Sequence, residues 1–341
     1  MRHWVLFFLL GCLFSCQSPT PPKHTANAFY YWKSTVQLSG KERIALDSNH
    51  THKLYIKFFD VDWQQTPVPK AIVHFQDSLL IKSCEIVPVV YITNRTLLNA
   101  NVAQTDTLAK QIHQKINQLA QKYFIHFNEI QLDCDWSPKS QRKYFRLLSE
   151  IKKLFRADLT LSATIRLHQI KYADKTGIPP VDRGMLMCYN VADWKKASTK
   201  NSIFDTEVIG SYLGNLEAYP LPLDVALPLF RWAVIYRNNR FVAFVNNLDS
   251  QTITQYSFLQ KTKEPNRFIV SADTSALGLS LRRGDLFRTE SANFPDLLIT
   301  IEVLRKRIQN QNLTFALYHL DQPTLTYYSD DQVSQLFQAF K

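Results

Sequence analysis

Apolar residues along this chain recur with two different periods, and the two kinds of segment alternate. Short runs rich in β-branched and aromatic residues predict strands, whereas apolar residues three and four positions apart predict helices. Eight strands are predicted, over residues 28–36, 53–61, 85–93, 129–136, 159–167, 184–189, 224–230 and 313–320. The clearest helical patterns cover residues 106–124, 138–155 and 295–309. Strands that alternate with helices indicate parallel βα units.

The fold class predicted from these units is α/β, as a single (β/α)8 barrel of the TIM type. Roughly 80 residues separate the seventh strand from the eighth, which is longer than a simple connection. Within this segment, residues 232–236 and 241–245 flank the sequence RNNR, which predicts a β-hairpin excursion on the barrel rim. An open doubly wound sheet is the alternative, but the chain has only eight glycines and no glycine-rich phosphate loop.

The N-terminus has the pattern of a secretion signal. Arg2 and His3 precede an apolar run, residues 4–14, that is too short to span a bilayer and typical of a signal peptide. The run ends in LFSC, residues 13–16, which resembles a bacterial lipobox with Cys16 as the lipid-bearing residue. We therefore expect a signal peptide over 1–15, a proline-rich tether over 16–26 and the barrel over 27–341.

This N-terminal pattern predicts a lipoprotein of the bacterial cell envelope, held on a membrane, with the outer membrane favoured. The barrel then faces the periplasm or the exterior. An uncleaved short anchor is the alternative, and it also places the barrel outside the cytoplasm, on a membrane surface.

The composition excludes some classes of protein. A hydrophobic fraction of 45% with 13% aromatic residues provides material for a large core and argues against disorder. The formal net charge is +11, but lysine and arginine are scattered, so we expect no nucleic-acid partner. Neither C-x-x-C nor H-E-x-x-H occurs, and the sequence predicts no metal site and no cofactor. Cys84, Cys134 and Cys188 are interpreted as core residues rather than disulfide partners.

Two acids lie at the end of the predicted fourth strand. Asp133 and Asp135 share one face of that strand, while Leu132, Cys134 and Trp136 share the other. Two carboxylates on one face of a buried strand are costly to desolvate, which favours a functional site. The sequence SP at 137–138 predicts the start of the next helix. The acids are therefore expected at the C-terminal mouth, where barrel enzymes have their active sites.

The sequence QLDCDWS, residues 131–137, resembles the last seven positions of D-G-x-D-x-D-x-E, the strand-four motif of glycoside hydrolase family 18, the chitinase-like barrels. MCYN, residues 187–190, is similar to the M-x-Y-[DN] motif of the same family. This resemblance implies that Asp133, Asp135 and Tyr189 are catalytic and that Met187 and Asn190 bind substrate. The chain also looks like bacterial barrel lipoproteins of unassigned function that carry a Q-[LI]-D-x-D strand.

The resemblance breaks at Ser137, which stands where the family has its general-acid glutamate. A serine hydroxyl cannot protonate the leaving oxygen of a glycoside. Either an acid comes from another strand end, or the site binds sugar without cutting it. Asp60 and Asp62, at the end of the second strand, are the candidate substitutes, with a solvated loop pair as the alternative. Arg166, at the end of the fifth strand, is a candidate to contact an anionic or hydroxyl-rich ligand, with a paired rim charge as the alternative.

Three functions follow from these patterns. The first is a glycoside hydrolase, the second is a non-catalytic glycan-binding barrel, and the third is a structural envelope lipoprotein with a plugged mouth. The expected partners are a glycan or polysaccharide and a membrane, through the N-terminal lipid. One or two of four aromatic residues are expected to stack on sugar; the four are Trp63, Tyr91, Trp136 and Tyr189. Strand parity directs Trp136 away from the acids.

Overall fold

The computed structural model describes residues 24–341. The strands are β1 (His24–Tyr31), β2 (Thr35–Val36), β3 (Lys53–Gln64), β4 (Thr66–Lys70), β5 (His74–Phe75), β6 (Glu85–Ile92), β7 (Glu129–Asp133), β8 (Thr160–Arg166), β9 (Arg183–Met187), β10 (Leu223–Pro228), β11 (Arg231–Arg237), β12 (Arg240–Asn246), β13 (Leu259–Lys261), β14 (Arg267–Val270), β15 (Thr274–Ala276), β16 (Leu279–Leu281), β17 (Leu286–Ser291) and β18 (Asn312–Tyr318).

The α-helices are α1 (Gly40–Ser48), α2 (Ser78–Ser83), α3 (Asn94–Asn99), α4 (Val102–Tyr123), α5 (Gln141–Leu154), α6 (Leu167–Lys171), α7 (Ala173–Thr176), α8 (Thr206–Tyr212), α9 (Phe294–Arg307), α10 (Gln322–Tyr327) and α11 (Asp330–Phe340). Within the described part of the chain, none of these helices is both long enough and apolar enough to cross a membrane.

Eight parallel strands form a closed barrel in the order β1-β18-β10-β9-β8-β7-β6-β3. The barrel closes because β1 pairs with β18 on one side and with β3 on the other, so that Ala28 lies opposite both Ala316 and Lys53. An open sheet has two free edges, and this closure leaves none among the eight barrel strands. The predicted (β/α)8 barrel and its eight strands are therefore confirmed.

The helical layer is specified by local sequence, as α4 illustrates. The Asn101 side chain accepts the Gln104 N–H, and the Gln104 side chain accepts the Asn101 N–H, which forms a capping box at the start of the helix. The helix ends at Phe124, whose φ of 55° is left-handed. Its buried side chains recur every three or four positions and pack on the barrel: Leu108, Ile112, Ile116, Leu119.

The inside of the barrel is filled by layers of side chains, as the inward-facing residues of parallel strands require. In the middle layer, the Tyr30 hydroxyl donates to Gln131 at 2.6 Å, and Gln131 donates to Ser162 at 3.3 Å. Apolar members of the interior include Tyr55, Val87, Val89, Met185 and Met187. Since this packing closes the centre of the barrel, ligand-sized space is found at the C-terminal mouth.

A second sheet is inserted between β10 and α9, on the mouth side of the barrel. It has five antiparallel strands in the order β12-β11-β17-β14-β13. The predicted hairpin is β11 and β12, and its turn residues Asn238 and Asn239 have φ of 51° and 60°, as a tight hairpin turn requires. The predicted excursion is confirmed but belongs to this larger sheet. The hairpin joins this sheet through β17, and the strands beyond it, β14 and β13, have four and three residues, too few for a periodic signal.

Two sequence-based boundaries differ from the structure. The tether predicted over 16–26 overlaps β1, which already begins at His24 because His24 pairs with Asn312. The signal peptide and Cys16 lie outside the described residues. The helix predicted from 138 begins at Gln141, since the Ser137 carbonyl accepts the N–H groups of Ser140 and Gln141 in a preceding turn.

Candidate active site at the barrel mouth

A cavity of about 550 Å³ opens at the C-terminal end of the barrel strands. It brings together five of the eight residues predicted as catalytic or substrate-binding: Asp133, Asp135, Arg166, Tyr189 and Asn190. They converge because β7, β8 and β9 are neighbours in the barrel and end at the same face. The remaining lining residues are Trp32, Lys33, Tyr91, Phe230, Arg231, Trp232, Asn246, Asn247, Tyr318, His319 and Asp321.

Asp133 is the deeper of the two acids. It is only 6% exposed, and its Oδ1 accepts a hydrogen bond from the Thr164 hydroxyl at 2.7 Å. Burial raises the pKa of Asp133 to about 6; the charge of Arg166 opposes this rise and the charge of Asp135 adds to it. Burial is the larger cause, as expected for a carboxyl held in the barrel interior. Near neutral pH this carboxyl therefore exchanges a proton readily.

Asp135 lies nearer to solvent and is held by an arginine. Its side chain is 48% exposed, and Nε and Nη2 of Arg166 donate to its two oxygens, the latter at 3.3 Å. The Arg166 guanidinium also lies 5.6 Å from the centre of the Tyr189 ring. Its Nη1 is buried and makes no hydrogen bond to the described protein. A ligand that bonds to Asp135 must therefore share this carboxylate with Arg166.

The residues of the MCYN segment have distinct positions. Tyr189 is buried, and its hydroxyl lies 3.4 Å from Sδ of Met187, to which it donates. Burial raises the pKa of Tyr189 well above its usual value, so the phenol is protonated. Asn190, with φ of 56°, turns the chain at the cavity wall. Met187 lies inside the barrel and supports Tyr189 from below, without lining the cavity.

The structure does not place Asp62 at the mouth as a substitute acid. Arg95 and Lys70 donate to its carboxylate, as does the Thr93 hydroxyl. The hydrogen bonds from Arg95 are the main reason that the pKa of Asp62 lies well below its usual range. An acid that stays ionised cannot donate a proton to a leaving group. Asp62 is therefore part of an ion-pair cluster on β3.

Asp60 and Ser137 do not line the cavity either. The Lys57 ammonium lies 3.2 Å from Asp60 Oδ1, so this acid is engaged in an ion pair within its own strand. The Ser137 hydroxyl lies 3.3 Å from Ser140 Oγ and 3.5 Å from Asn94 Nδ2, within the turn that precedes α5. None of the three candidate positions at the ends of β3 and β7 supplies a free acid to the cavity.

An aromatic wall crosses the mouth, and sequence reasoning missed most of it. The wall consists of six rings in a row: Trp194, Phe244, Trp232, Phe230, Tyr318 and Trp32. The centres of successive rings in this row are 5.0, 4.6, 5.1, 5.7 and 5.6 Å apart. Several of these rings end a barrel strand or directly follow one. The predicted strand ends alone could therefore have indicated that these rings lie at the mouth. Apolar ring faces of this kind suit the C–H face of a pyranose.

Of the four aromatic residues that the sequence suggested for sugar stacking, two line the cavity and two do not. Tyr91 and Tyr189 line the cavity, whereas Trp63 and Trp136 do not. Trp136 is buried, its indole N–H donates to the Thr176 carbonyl at 3.0 Å, and its ring stacks on Tyr144. It points away from the acids, as strand parity predicted.

Two further cavities share their walls with the central one. A cavity of about 400 Å³ reaches His168, Trp194 and Tyr212, and it shares Asp135 and Arg166 with the centre. Another, of about 630 Å³, extends over the loops that follow β1 and β18. The three cavities therefore adjoin one another along the mouth. Over residues 24–341, no three side chains of metal-binding type come together.

No family model matches the chain, and no curated protein matches it. Solved structures do. The spore cortex-lytic enzyme SleL of Bacillus cereus has a TM-score of 0.57 at 14% identity, covering 94% of this chain and 76% of that chain. The chitinase of Chromobacterium violaceum has a TM-score of 0.56 at 13% identity, covering 91% and 98%.

The family GH18 chitinase of Cycas revoluta, solved in complex with allosamidin, has a TM-score of 0.58 at 12% identity and covers 93% of this chain and 100% of that chain. Likenesses at these identities establish the fold. The chain therefore has the barrel fold of the glycoside hydrolase family 18 chitinases.

Proposed function

We propose that this barrel binds a glycan at its mouth without hydrolysing it. One observation carries the proposal: the position equivalent to the general acid is Ser137, and its hydroxyl lies in a turn with Ser140 and Asn94. The neighbouring acid, Asp135, is engaged by Arg166. Hydrolysis of a glycoside needs a proton donor beside the leaving oxygen and a second group that supports the developing charge. In this chain a serine stands where the proton donor would be, and the second group, Asp135, is bound by an arginine.

The rest of the mouth supports glycan binding. Aromatic rings alternate with polar side chains such as Asn190, Asn247 and Asp321 along the same cavity. This combination provides apolar faces for sugar rings and hydrogen-bonding groups for hydroxyls. The chitinase of Cycas revoluta was crystallised with an oligomer of N-acetylglucosamine, which makes this class of sugar the first to test. A structural role with a plugged mouth is less well supported, because the cavity is open.

Calorimetric titration with N-acetylglucosamine oligomers and with peptidoglycan fragments tests the proposal. The wild type should bind at least one of these glycans, without releasing reducing ends. Trp232→Ala should weaken binding roughly fivefold, since stacking contributes about 1 kcal/mol. Trp63→Ala is the matched control, because Trp63 lies outside the cavity, and it should leave affinity unchanged. Absence of binding to every glycan, or an equal loss in both variants, would refute glycan recognition at the mouth.

A second candidate function, slow hydrolysis, is favoured by one observation: Asp133 lines the cavity and holds a proton up to about pH 6. If Asp133 served as the acid, turnover would fall as the pH rises through about 6. Reducing-end release measured between pH 4 and 8, with Asp133→Asn as the inactive control, separates the two functions. Turnover that disappears in this variant would replace the binding proposal with hydrolysis.

We also infer that the barrel is held on a membrane of the bacterial envelope through a lipid on Cys16. The support is the sequence alone: an apolar run of signal-peptide length that ends in LFSC, followed by a proline-rich stretch. A lipid anchor of this kind keeps a water-soluble barrel at a membrane surface.

A further inference from the structure

The first barrel strand fixes where the N-terminal segment joins the folded domain. β1 begins at His24, which pairs with Asn312, and the His24 N–H donates to the Gln311 carbonyl at 2.7 Å. This is the face at which all barrel strands begin, opposite the mouth. Trp32 and Lys33 follow the other end of β1 and line the cavity. The chain thus enters the barrel at the face farthest from the glycan site.

The reach of the N-terminal segment is short. Only residues 17–23 separate Cys16 from His24, so the connection spans at most about 28 Å when fully extended. β1 has eight residues, about 26 Å of strand, or roughly 21 Å along a barrel axis at the usual tilt. The inserted sheet, β11 to β17, lies beyond the mouth, and a unit of its size is about 20 Å across. A mouth-down barrel would need about 40 Å.

We propose that the barrel stands with its strand-start face against the lipid surface and its mouth directed away from the membrane. The proposal rests on the proposed lipid anchor at Cys16. The glycan that enters the mouth then comes from the side opposite the anchoring membrane, and polymers spread along that membrane cannot reach it.

The chemistry of the strand-start face suits a lipid surface. Phe124 follows α4, whose C-terminal end lies at this face because β7 begins five residues later. Its ring is 84% exposed, the largest exposed fraction among the large apolar side chains of the described residues. Lys122 and His126 are exposed beside it. An exposed aromatic ring beside a lysine is the composition of contacts with the headgroup region of anionic bilayers.

Fluorescence quenching in vesicles tests the orientation. Full-length lipidated protein is reconstituted in vesicles of phosphatidylethanolamine and phosphatidylglycerol that contain a lipid with a spin-labelled headgroup. The background variant is Cys84→Ser, because Cys134 and Cys188 are fully buried and Cys84 is not. A fluorophore is attached through Gln121→Cys, on the last turn of α4, or through Ser34→Cys, near the mouth; both positions are exposed.

The label at position 121 should be quenched several-fold more strongly than the label at position 34. Phe124→Ser should reduce the quenching at 121 without releasing the protein, because the lipid still holds it. Equal quenching at both positions, or stronger quenching at 34, would overturn the orientation and leave the anchor intact. Failure of the wild type to bind vesicles would overturn the anchor, and the orientation with it. Glycan binding at the mouth is measured separately and is independent of either outcome.

Discussion

Replacing Asp133 by asparagine should change how the stability of the barrel depends on pH. The folded state raises the pKa of this carboxyl to about 6, from an ordinary value of 3.8, chiefly by burial. Folding therefore favours the protonated form. The contribution is fully present below about pH 4 and is lost as the pH rises through about 6. The asparagine that replaces Asp133 is neutral at every pH, and its amide oxygen can still accept the hydrogen bond from Thr164.

The size of the effect follows from the shift. A difference of about two pKa units, at 1.36 kcal/mol per unit, corresponds to roughly 3 kcal/mol. Relative to the wild type, Asp133→Asn should therefore gain about that much free energy of unfolding between pH 4 and pH 8. Urea unfolding at several pH values measures both proteins, and their difference cancels most groups that titrate in common.

A matched control separates burial from charge removal in general. Asp158 has a side chain that is 77% exposed, so Asp158→Asn should show little pH-dependent difference from the wild type. If the difference between wild type and Asp133→Asn stays flat from pH 4 to pH 8, Asp133 is ionised in the fold and the argument from burial is wrong. The assignment of Asp133 as a proton-holding group in the mouth would then fail as well.

Three further predictions concern other parts of the chain. Cys16→Ser should release the protein from membrane fractions and abolish lipid labelling; persistent labelling would contradict the anchor. Glu290→Gln should cost about 3 kcal/mol, measured by urea unfolding, because it leaves Arg288 charged and fully buried without its carboxylate partner. The same change should also weaken glycan binding, since Glu290 accepts the Trp232 indole N–H at 2.7 Å. Ser137→Glu alone should not produce hydrolysis in a reducing-end assay, because Arg166 still engages Asp135.

Much of the barrel could be predicted because its signals are local. Each barrel strand is a run of apolar residues long enough to show its period, and strand parity correctly separated Asp133 and Asp135 from Trp136. The start of β1 was missed because HTAN, residues 24–27, reads as polar. Those residues form a strand only through pairing with β18, nearly 290 residues away, which no local pattern indicates. The strands β13 and β14 of the inserted sheet were missed for a different reason, since three and four residues are too few to show a period.

The site was harder to predict than the fold, because its chemistry depends on contacts between strands. Asp62 and Asp135 lie in similar D-x-D segments of the sequence, yet in the structure each is bound by a different arginine and has a different environment. Asp62 is bound by Arg95, from the segment that follows β6, and this contact lowers the pKa of Asp62 so that the carboxyl stays ionised. Asp135 meets Arg166, from the end of β8, and remains half exposed at the mouth. Which arginine reaches which acid is set by register and side-chain rotamer.

Ser137 and Arg166 each disfavour hydrolysis of a glycoside at the mouth, by different means. Under the proposed function, Ser137 stands where the resemblance implies a proton donor, and Arg166 engages the neighbouring carboxylate of Asp135. A guanidinium bound to both oxygens of Asp135 lowers the electron density that this carboxylate offers to a developing positive charge. Restoring one position therefore leaves the other obstacle in place. The same ion pair suits recognition, because it holds Asp135 in one rotamer, with the Arg166 guanidinium 5.6 Å from the centre of the Tyr189 ring, and presents a fixed set of hydrogen-bonding atoms to a sugar.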